Sequence, residues 1–287
     1  MSTELINARP RPMHGRVSLG GVLRSEMIRF FSLNSTRILI LVSFVVYVGI
    51  AAVGIWGVGS LMESMGGTPD AGQIPGTESM GTADFAAETL ASGLMFSQLI
   101  LGVLGVLLMS GEFTTGSAVS TFLASPQRLR VMGAKVILIT VLTAVVQLAS
   151  TLAAYLICLP LAKNYNMTLD FGSEAFQRMM WFGALAVVMA ALMGLALGVL
   201  LRNSAGGITS LVALFFVLPL VAQILTAVTD WFADVARFMP DRLGLSLALP
   251  LSTPSDLEMW QQLLGVAGWV LVPLALGAVL LKSRDIK

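Results

Sequence analysis

Charged side chains are absent from six long stretches of the sequence, and apolar residues dominate each stretch. Each stretch holds 23 to 27 residues. The stretches lie between Arg37 and Glu63, Glu88 and Glu112, Lys135 and Lys163, Arg178 and Arg202, Arg202 and Asp230, and Glu258 and Lys282. Because a helix rises about 1.5 Å per residue, roughly 20 apolar residues cross the hydrocarbon core of a bilayer. The pattern predicts six transmembrane helices, over about residues 38–60, 91–111, 136–161, 179–201, 206–228 and 260–281.

The composition supports this fold class. Hydrophobic residues make up 56% of the 287 residues, charged residues make up 11%, and the mean hydropathy is +0.86. An average soluble domain carries about 25% charged residues. We therefore expect an all-α integral membrane protein with one transmembrane domain over residues 38–281, between tails at 1–37 and 282–287. The first helix is followed by no A-x-A type cleavage site, so we expect it to remain as an anchor.

Basic residues are unevenly distributed between the two sides of the predicted membrane. One side carries 13 of the 17 Lys and Arg residues, whereas the other carries only four of them together with 12 of the 16 acidic residues. Those four are Lys163, Arg178, Arg237 and Arg242. Since Lys and Arg near helix ends stay cytoplasmic, both termini are predicted to be cytoplasmic. Arg outnumbers Lys 13 to 4, as is typical of GC-rich bacteria, so we expect the bacterial cytoplasmic membrane.

The segment before the first predicted helix is amphipathic. With a helical period, residues 19–33 place most of their apolar side chains on one arc and Arg24 and Arg29 on the other, although Glu26 falls inside the apolar arc. The pattern predicts a helix lying in the cytoplasmic interface of the membrane. A simple juxtamembrane anchor is the alternative.

Two external segments have different compositions. Residues 62–92 are rich in Gly, Pro, Ser and Thr, and are expected to form a mobile loop. Residues 229–259 are too long for a simple turn, and their apolar middle, residues 243–251, is interrupted by Gly244 and Pro250. Because so short a segment cannot cross a bilayer, we predict re-entrant or interfacial helices here, with an ordinary surface helix as the alternative.

The cytoplasmic segment between the second and third helices is organised. Gly116 permits a sharp turn, residues 117–124 can form about two helical turns, and Pro126 ends them. Such a helix leaves Phe122 and Leu123 exposed as apolar side chains, which favours the binding of a partner protein.

The sequence also excludes several function classes. The predicted helices hold no Asp, Glu, Lys or Arg, which disfavours an ion-coupled pump. Cys158 and His14 are the only residues of their types, too few for a zinc site or a Cys-His nucleophile pair. A P-loop is absent, since only Lys282 precedes a Ser or Thr and Leu281 stands where glycine is required. We expect no catalytic site, metal or bound cofactor, and a net charge of +1 gives no basis for nucleic-acid binding.

Several motifs together resemble the ABC-2-type permeases, the second exporter class of ABC transporters. The first follows the pattern E-x-x-x-G-T…L-x-S-P-x-R…A-K and comprises Glu112, Gly116, Phe122, Leu123, Ser125, Pro126, Arg128 and Lys135. The others are residues 194–207, the run Phe216 to Pro219, the external run Phe238 to Pro240, and the closing Arg284 and Asp285. The resemblance covers nearly the whole chain after Leu19.

The resemblance implies a six-helix permease of the type V exporter fold. It implies a second permease copy or homologue, and cytoplasmic ATPase subunits that hold ATP and Mg. The loop between the second and third helices would be a coupling helix that docks on the ATPase. The implied coupling residues are Glu112, Gly116, Thr121, Phe122, Leu123, Pro126, Arg128 and Lys135. Glu112 and Arg128 would form ion pairs with the ATPase, and as a loop charge Glu112 is expected to matter more for coupling than for folding.

The resemblance also suggests a connecting helix and a translocation pathway. The amphipathic segment, with Arg24, Glu26 and Arg29, would be the connecting helix. The pathway would lie along the second and fifth helices, with the candidates Met95, Phe96, Gln98, Phe215, Phe216 and Gln223. These side chains would suit an amphipathic or lipid-like cargo such as a drug, an antimicrobial peptide or a lipid, although packing between helices is the alternative.

The pairs Gly102 and Gly105, and Gly194 and Gly198, predict close packing between helices. The partner permease is either a second copy of this chain or a homologue, and membrane lipids surround both. The alternative function is an ATP-independent membrane channel or carrier.

Overall fold

The computed structural model describes residues 19–64, 82–114 and 128–283, and all regular secondary structure in them is helical. In chain order the helices are α1 (Leu19–Ser32), α2 (Asn34–Ser64), α3 (Ala83–Leu90), α4 (Leu94–Thr114), α5 (Arg128–Asn164), α6 (Glu174–Leu201), α7 (Ser204–Val212), α8 (Leu218–Val228), α9 (Asp230–Ala236), α10 (Pro240–Ala248) and α11 (Met259–Ser283). Six helical stretches among these residues are long and apolar enough to cross a membrane, as in a multi-pass membrane protein.

These six stretches are named spans 1 to 6. Span 1 is α2, span 3 is α5, span 4 is α6 and span 6 is α11. Span 2 joins α3 to α4 through a 3₁₀ turn at Ala91–Gly93, and span 5 joins α7 to α8 through a π-helical turn at Ala213–Val217. Consecutive spans run in opposite directions, so their ends form two groups. The α1 end includes Glu112 and Lys135, and the α10 end includes Glu88 and Gln262.

Glycines bring spans 2 and 4 into close contact. A Cβ atom at Gly105 would collide with the backbone carbonyl of Ala191, and one at Gly194 would collide with that of Gly102. At Gly198 it would lie 2.7 Å from the carbonyl oxygen of Val106. Since only glycine permits this approach of two helix backbones, the predicted role of these glycines in packing is confirmed.

A buried chain of polar side chains joins spans 1, 2 and 3. The Ser43 and Ser97 hydroxyls are 3.1 Å apart, and Ser97 donates to Gln147 Oε1 at 2.6 Å. Gln147 Nε2 donates to Thr151 Oγ1 at 3.3 Å, and Thr151 donates to the Tyr47 hydroxyl at 3.2 Å. Each such bond between apolar helices contributes about 0.6 kcal/mol, so the chain fixes the relative positions of the three spans.

The expectation of a mobile loop over residues 62–92 is wrong at both described ends of that segment. Span 1 continues as helix to Ser64, and helix begins again at Ala83. Thr82 caps this second helix, because its Oγ1 accepts a hydrogen bond from the Phe85 amide at 3.2 Å. Residues 65–81 lie outside the described residues. The Gly, Pro, Ser and Thr content of the segment therefore does not predict the structure at its two ends.

The contacts of Glu88 explain why this charged residue lies inside span 2 and does not mark its start. Its carboxylate is buried and accepts hydrogen bonds from the backbone amides of Leu251 and Ser252, both at 2.7 Å. The Ser252 hydroxyl donates a third bond at 2.6 Å. A carboxylate with three donors is tolerated inside the bundle, so the helix continues through it.

The segment between spans 5 and 6 enters the helix bundle. Trp269, ten residues into span 6, donates to the backbone carbonyl of Phe238 at 2.7 Å. Further along the segment, Ser246 donates to Gln262, the fourth residue of span 6, at 3.0 Å. The turn before α10 therefore lies deeper along span 6 than the end of α10, and α10 runs antiparallel to span 6.

Polar contacts hold α10 in this position. Arg178, in span 4, donates to the Leu247 carbonyl at 2.9 Å, which satisfies an acceptor at the C-terminal end of α10. Gly244 lies against Ala186 and Met189 of span 4. Thus a charged residue within a span is again held by a partner far away in the sequence.

Candidate functional site

The buried face of α1 is defined by residues four positions apart. Val22, Glu26 and Phe30 are all buried, whereas Arg24 is exposed. Their spacing places the three side chains on one side of a helix, which packs mainly against span 3. The apolar arc of α1 therefore faces the protein. Glu26 lies in this arc because it contacts Lys135 on the buried face. Apolar side chains also remain exposed on or beside α1: Met27, Ile28, Phe31 and Leu33.

Four charged residues meet where α1 contacts spans 2 and 3. Lys135 Nζ lies 2.5 Å from Glu26 Oε2 and 2.8 Å from Glu112 Oε1. Arg29 Nη1 lies 2.7 Å from the same Glu112 oxygen. We call Glu26, Arg29, Glu112 and Lys135 the charge cluster. Its formal charges cancel, so the cluster is neutral as a unit.

Three of the four side chains in the charge cluster are removed from solvent. The side chains of Lys135, Glu112 and Glu26 are 1%, 3% and 6% exposed, whereas that of Arg29 is 37% exposed. Breaking such a buried pair by removing one partner costs about 3–5 kcal/mol, because it leaves a charge without compensation. The four residues are therefore energetically coupled, because the loss of one charge leaves its partners without compensation.

The charge cluster fixes both ends of the segment between spans 2 and 3. Glu112 lies in the last turn of α4, which ends at Thr114, and Lys135 lies in the second turn of α5, which begins at Arg128. The ion pair between them holds these two helix ends together. Glu26 and Arg29 attach the same point to α1. A displacement of the intervening segment would therefore act on α1 and on both spans.

A second set of contacts joins this point to the turn between spans 4 and 5. Arg202 ends α6 in the left-handed conformation, with φ 50°, and its guanidinium lies 5.2 Å from the centre of the Phe113 ring. Asn203 then caps α7 by accepting a hydrogen bond from the Ala205 amide at 2.9 Å. Ser110 and Ser204 hydroxyls are 2.9 Å apart. The sequence shows Arg202 as a break between apolar stretches but gives no sign of this contact.

A cavity of about 310 Å³ lies beside the charge cluster. Its walls include Phe30, Leu33, Leu104, Leu107, Leu108 and Glu112. Within the part of the chain that the structure describes, Glu112 Oε2 is buried and has no hydrogen-bond partner. The same described part contains no group of three His, Cys, Asp or Glu residues that would hold a metal ion.

The predicted coupling residues fall into two groups. Gly116, Thr121, Phe122, Leu123 and Pro126 lie outside the described residues, as does the predicted short helix at 117–124. Arg128 is the first residue of α5. Glu112 and Lys135 are described and are brought together. Of the predicted connecting-helix residues, Glu26 and Arg29 join them.

One expectation about Glu112 needs correction. The sequence places it as a loop charge free to form an ion pair with a partner protein. In the structure it belongs to a helix, is buried, and already pairs with Arg29 and Lys135. An external ion pair would have to displace these contacts. A substitution at Glu112 is therefore expected to affect folding as well as any coupling.

The six pathway candidates are not in one environment. Gln98 and Phe215 are buried, and Phe215 packs in an apolar cluster with Val106 and Met189. Phe216 packs against the edge of that cluster. The other three, Met95, Phe96 and Gln223, are exposed on the single chain. Their assignment to a pathway stays a prediction.

Comparison with protein-family models and with curated protein sequences finds no match for this chain.

Proposed function

We propose that this chain is the transmembrane permease subunit of an ATP-driven ABC exporter. In this proposal it acts with a second permease copy or homologue, and separate ATPase subunits bind and hydrolyse ATP with Mg. Both termini and the segment between spans 2 and 3 face the cytoplasm of a bacterium, where the ATPase is found. The motifs that resemble ABC-2-type permeases and the six apolar spans support the proposal.

The observation that carries the proposal is the charge cluster. A permease must transmit the closure of its ATPases to helices in the membrane, which requires a firm connection between the docking segment and those helices. Here the segment 115–127 is joined at its two ends by Glu112 and Lys135, and the same residues bind α1. Movement of the docked segment would therefore move α1 and spans 2 and 3 together.

Each part has a role in the proposed mechanism. Phe122 and Leu123 bind an apolar groove on the ATPase, while the charge cluster keeps the base of the segment rigid. ATP-driven closure of the ATPases then changes the relative position of the two permease subunits and moves a central cavity from inward-facing to outward-facing. The chain itself performs no chemistry on ATP.

The proposal also includes a cargo and its path. We propose an amphipathic or lipid-like cargo that moves along spans 2 and 5, where Met95, Phe96 and Gln223 are exposed on the single chain. The helices α9 and α10 would be re-entrant from the outer side, which is supported by their position beside span 6. They would close the outer end of the pathway in the resting state.

The test is purification of the tagged chain from its native membrane in mild detergent, followed by identification of its partners. We expect a stoichiometric ATPase and a vanadate-sensitive ATPase activity in the eluate. Phe122→Asp should abolish the association. Met259→Asp places the same charge at an exposed apolar position on the α10 end, and should leave the association intact.

Two outcomes would contradict the proposal. The first is a chain that purifies without an ATPase and conducts solute in vesicles without ATP, which is the behaviour of a channel or carrier. The second is an ATPase that stays bound to the Phe122→Asp and Leu123→Asp variants, since the segment 115–127 would then not be the docking site.

A further inference from the structure

A second cavity, of about 290 Å³, lies at the α10 end of the chain. Its lining comes from the end of span 5, from α9 and α10, and from residues 253–256 before span 6. Two of the lining residues are arginines, Arg237 and Arg242. None of the lining residues belongs to the charge cluster or to the segment 115–127, so this cavity is separate from the proposed coupling region.

Arg242 brings hydrogen-bond donors that the protein leaves unused. The residue is exposed, and its charge acts on the neighbouring Asp241 carboxylate. Within the part of the chain that the structure describes, however, its side chain forms no ion pair and donates no hydrogen bond to another residue. Because a guanidinium carries five N–H groups and no acceptor, Arg242 can bind an anion that enters the cavity.

Arg237 is held only by exposed carboxylates. Its Nη2 lies 2.8 Å from Asp234 Oδ1, and its Nη1 lies 3.9 Å from Asp256 Oδ2, which is too far for a hydrogen bond. The two carboxylate side chains are 73% and 85% exposed. Ion pairs that are open to water in this way are weak, so a ligand in the cavity can take over part of the guanidinium.

Two hydroxyl groups add further donors to the lining. Ser255 Oγ accepts a hydrogen bond from the Leu257 amide at 3.2 Å, which leaves its O–H to donate. The Thr253 hydroxyl, also in the lining, forms no hydrogen bond with the described residues. Against these donors, Asp256 is the one carboxylate in the lining, so the formal charge of the lining is +1 from two arginines and one aspartate. The cavity therefore suits an anion with several acceptor oxygens.

Helix α9 indicates where the cavity lies relative to the membrane. Thr226, in the last turns of span 5, and Ala233, in α9, both line the cavity. Trp231 and Val235 lie on the opposite face of α9 and are 66% and 47% exposed. An exposed tryptophan at the end of a span is typical of the membrane interface. The cavity is therefore at the level of the lipid headgroups, where both headgroups and dissolved anions reach it.

We propose that this cavity binds a phosphate group, supplied by a phospholipid headgroup or by free phosphate. Arg237 and Arg242 donate to its oxygens, and the Thr253 and Ser255 hydroxyls donate to those that remain. Arginine suits phosphate because its N–H groups form paired, charge-assisted hydrogen bonds. A carboxylate has only two oxygens in one plane, whereas these four donors belong to three separate parts of the fold. The proposal is independent of the transport function, since it involves no ATPase.

The first arm of the test uses free phosphate. Inorganic phosphate and acetate are titrated into the purified full-length chain by isothermal calorimetry, in a phosphate-free detergent and at constant ionic strength. A mildly acidic pH is used, so that both anions carry mainly one charge. We expect phosphate to bind at least about tenfold more tightly than acetate, the effect of one additional charge-assisted hydrogen bond.

The second arm uses lipids and the same preparation. Dioleoyl phosphatidylglycerol and dioleoylglycerol, which has the same acyl chains and no phosphate, are offered in equimolar amounts and detected by native mass spectrometry. We expect the phospholipid to exceed the neutral lipid in occupancy by about tenfold. Binding in this arm alone identifies the source of the phosphate as a lipid, and binding in the first arm alone identifies it as a dissolved anion. Either result supports the proposal.

Matched variants locate the site. Arg242→Gln combined with Arg237→Gln removes both charges from the lining and should lower the affinity for phosphate, or the preference for the phospholipid, by about tenfold or more. Lys163→Gln removes an exposed basic charge at the same end of the bundle, outside the lining, and should change neither. If the double variant does not fold, the two wild-type arms decide alone.

Three results would overturn the proposal. They are the absence of a phosphate-dependent preference in both arms, equal affinity for acetate and phosphate together with equal occupancy by the two lipids, and an unchanged preference in a folded double variant. The first two would show that the cavity does not distinguish phosphate from other groups. The third would place the phosphate elsewhere on the chain.

Discussion

Lys135 Nζ lies 2.5 Å from Glu26 Oε2, although the two residues are 109 positions apart in the sequence. Both side chains are buried, and Lys135 also contacts Glu112. The lysine thus joins α1 to the ends of spans 2 and 3 through one ammonium group.

Removal of the lysine should destabilise the chain strongly. We expect Lys135→Met to lower the free energy of unfolding by about 3–5 kcal/mol, because Glu26 loses its basic partner and Glu112 keeps only Arg29. Lys282→Met, which removes an exposed lysine near the C-terminus, should change it by less than about 0.5 kcal/mol. Denaturant unfolding in detergent measures both.

A double variant tests whether Lys135→Met is unstable because it leaves Glu26 unpaired or because the site needs a positive charge. Glu26→Leu combined with Lys135→Leu removes the pair together and leaves Arg29 with Glu112. We expect it to recover at least half of the stability lost in Lys135→Met, since no isolated charge remains on Glu26. A double variant as unstable as the single one would contradict this account of the charge cluster.

The two arginines of α1 should respond differently to truncation. Arg29→Ala removes the ion pair to Glu112 and should raise amide hydrogen exchange across α1 by about tenfold, the effect of a loss of about 1.4 kcal/mol. Arg24 is exposed, so Arg24→Ala serves as the matched control and should leave the exchange unchanged. Equal protection of α1 in both variants would show that the charge cluster does not hold this helix.

The number of spans could be predicted from the sequence, because an uncharged stretch that is long enough to cross a bilayer is an unambiguous pattern. The helix limits could not be predicted in the same way. Glu88 and Arg178 lie inside helices since their hydrogen-bond partners, Ser252 and Leu247, are far away in the sequence. A single sequence does not identify such partners.

The candidate site was visible only in part. Glu26 was out of place in an apolar arc, and this was the one local sign that α1 meets a basic group on its buried face. Nothing local assigns that group to Lys135, or pairs Glu112 with Arg29. The motifs include Glu112 and Lys135, but the contact between them depends on how the helices pack.

The close approach of spans 2 and 4 makes a further prediction. Gly194→Ala should destabilise the chain by about 1–3 kcal/mol, because the added Cβ meets the Gly102 carbonyl of a neighbouring backbone that cannot move alone. Gly268 in span 6 has open space around it, so Gly268→Ala should be neutral or stabilising by up to about 1 kcal/mol. Thermal or denaturant unfolding of the two variants gives the comparison, and equal effects would contradict the packing argument.

Glu88 should hold the segment after α10 against the bundle. Its carboxylate accepts bonds from the Leu251 and Ser252 amides and from the Ser252 hydroxyl, so both carboxylate oxygens are used. In Glu88→Gln one of these oxygens becomes an amide nitrogen, which faces a donor, and the charge that strengthens the other bonds is lost. We expect faster hydrogen exchange at the Leu251 and Ser252 amides, by about tenfold or more, for a loss of about 1.5–3 kcal/mol.

The control for Glu88→Gln lies on the same helix. Asp84 is exposed in the first turn of α3, and Asp84→Asn makes the same change from carboxylate to amide without touching the segment after α10. It should leave the exchange of Leu251 and Ser252 unchanged. If Glu88→Gln also left their exchange unchanged, the segment would be held by the apolar packing of α10 against span 4, and the buried carboxylate would be dispensable for its position.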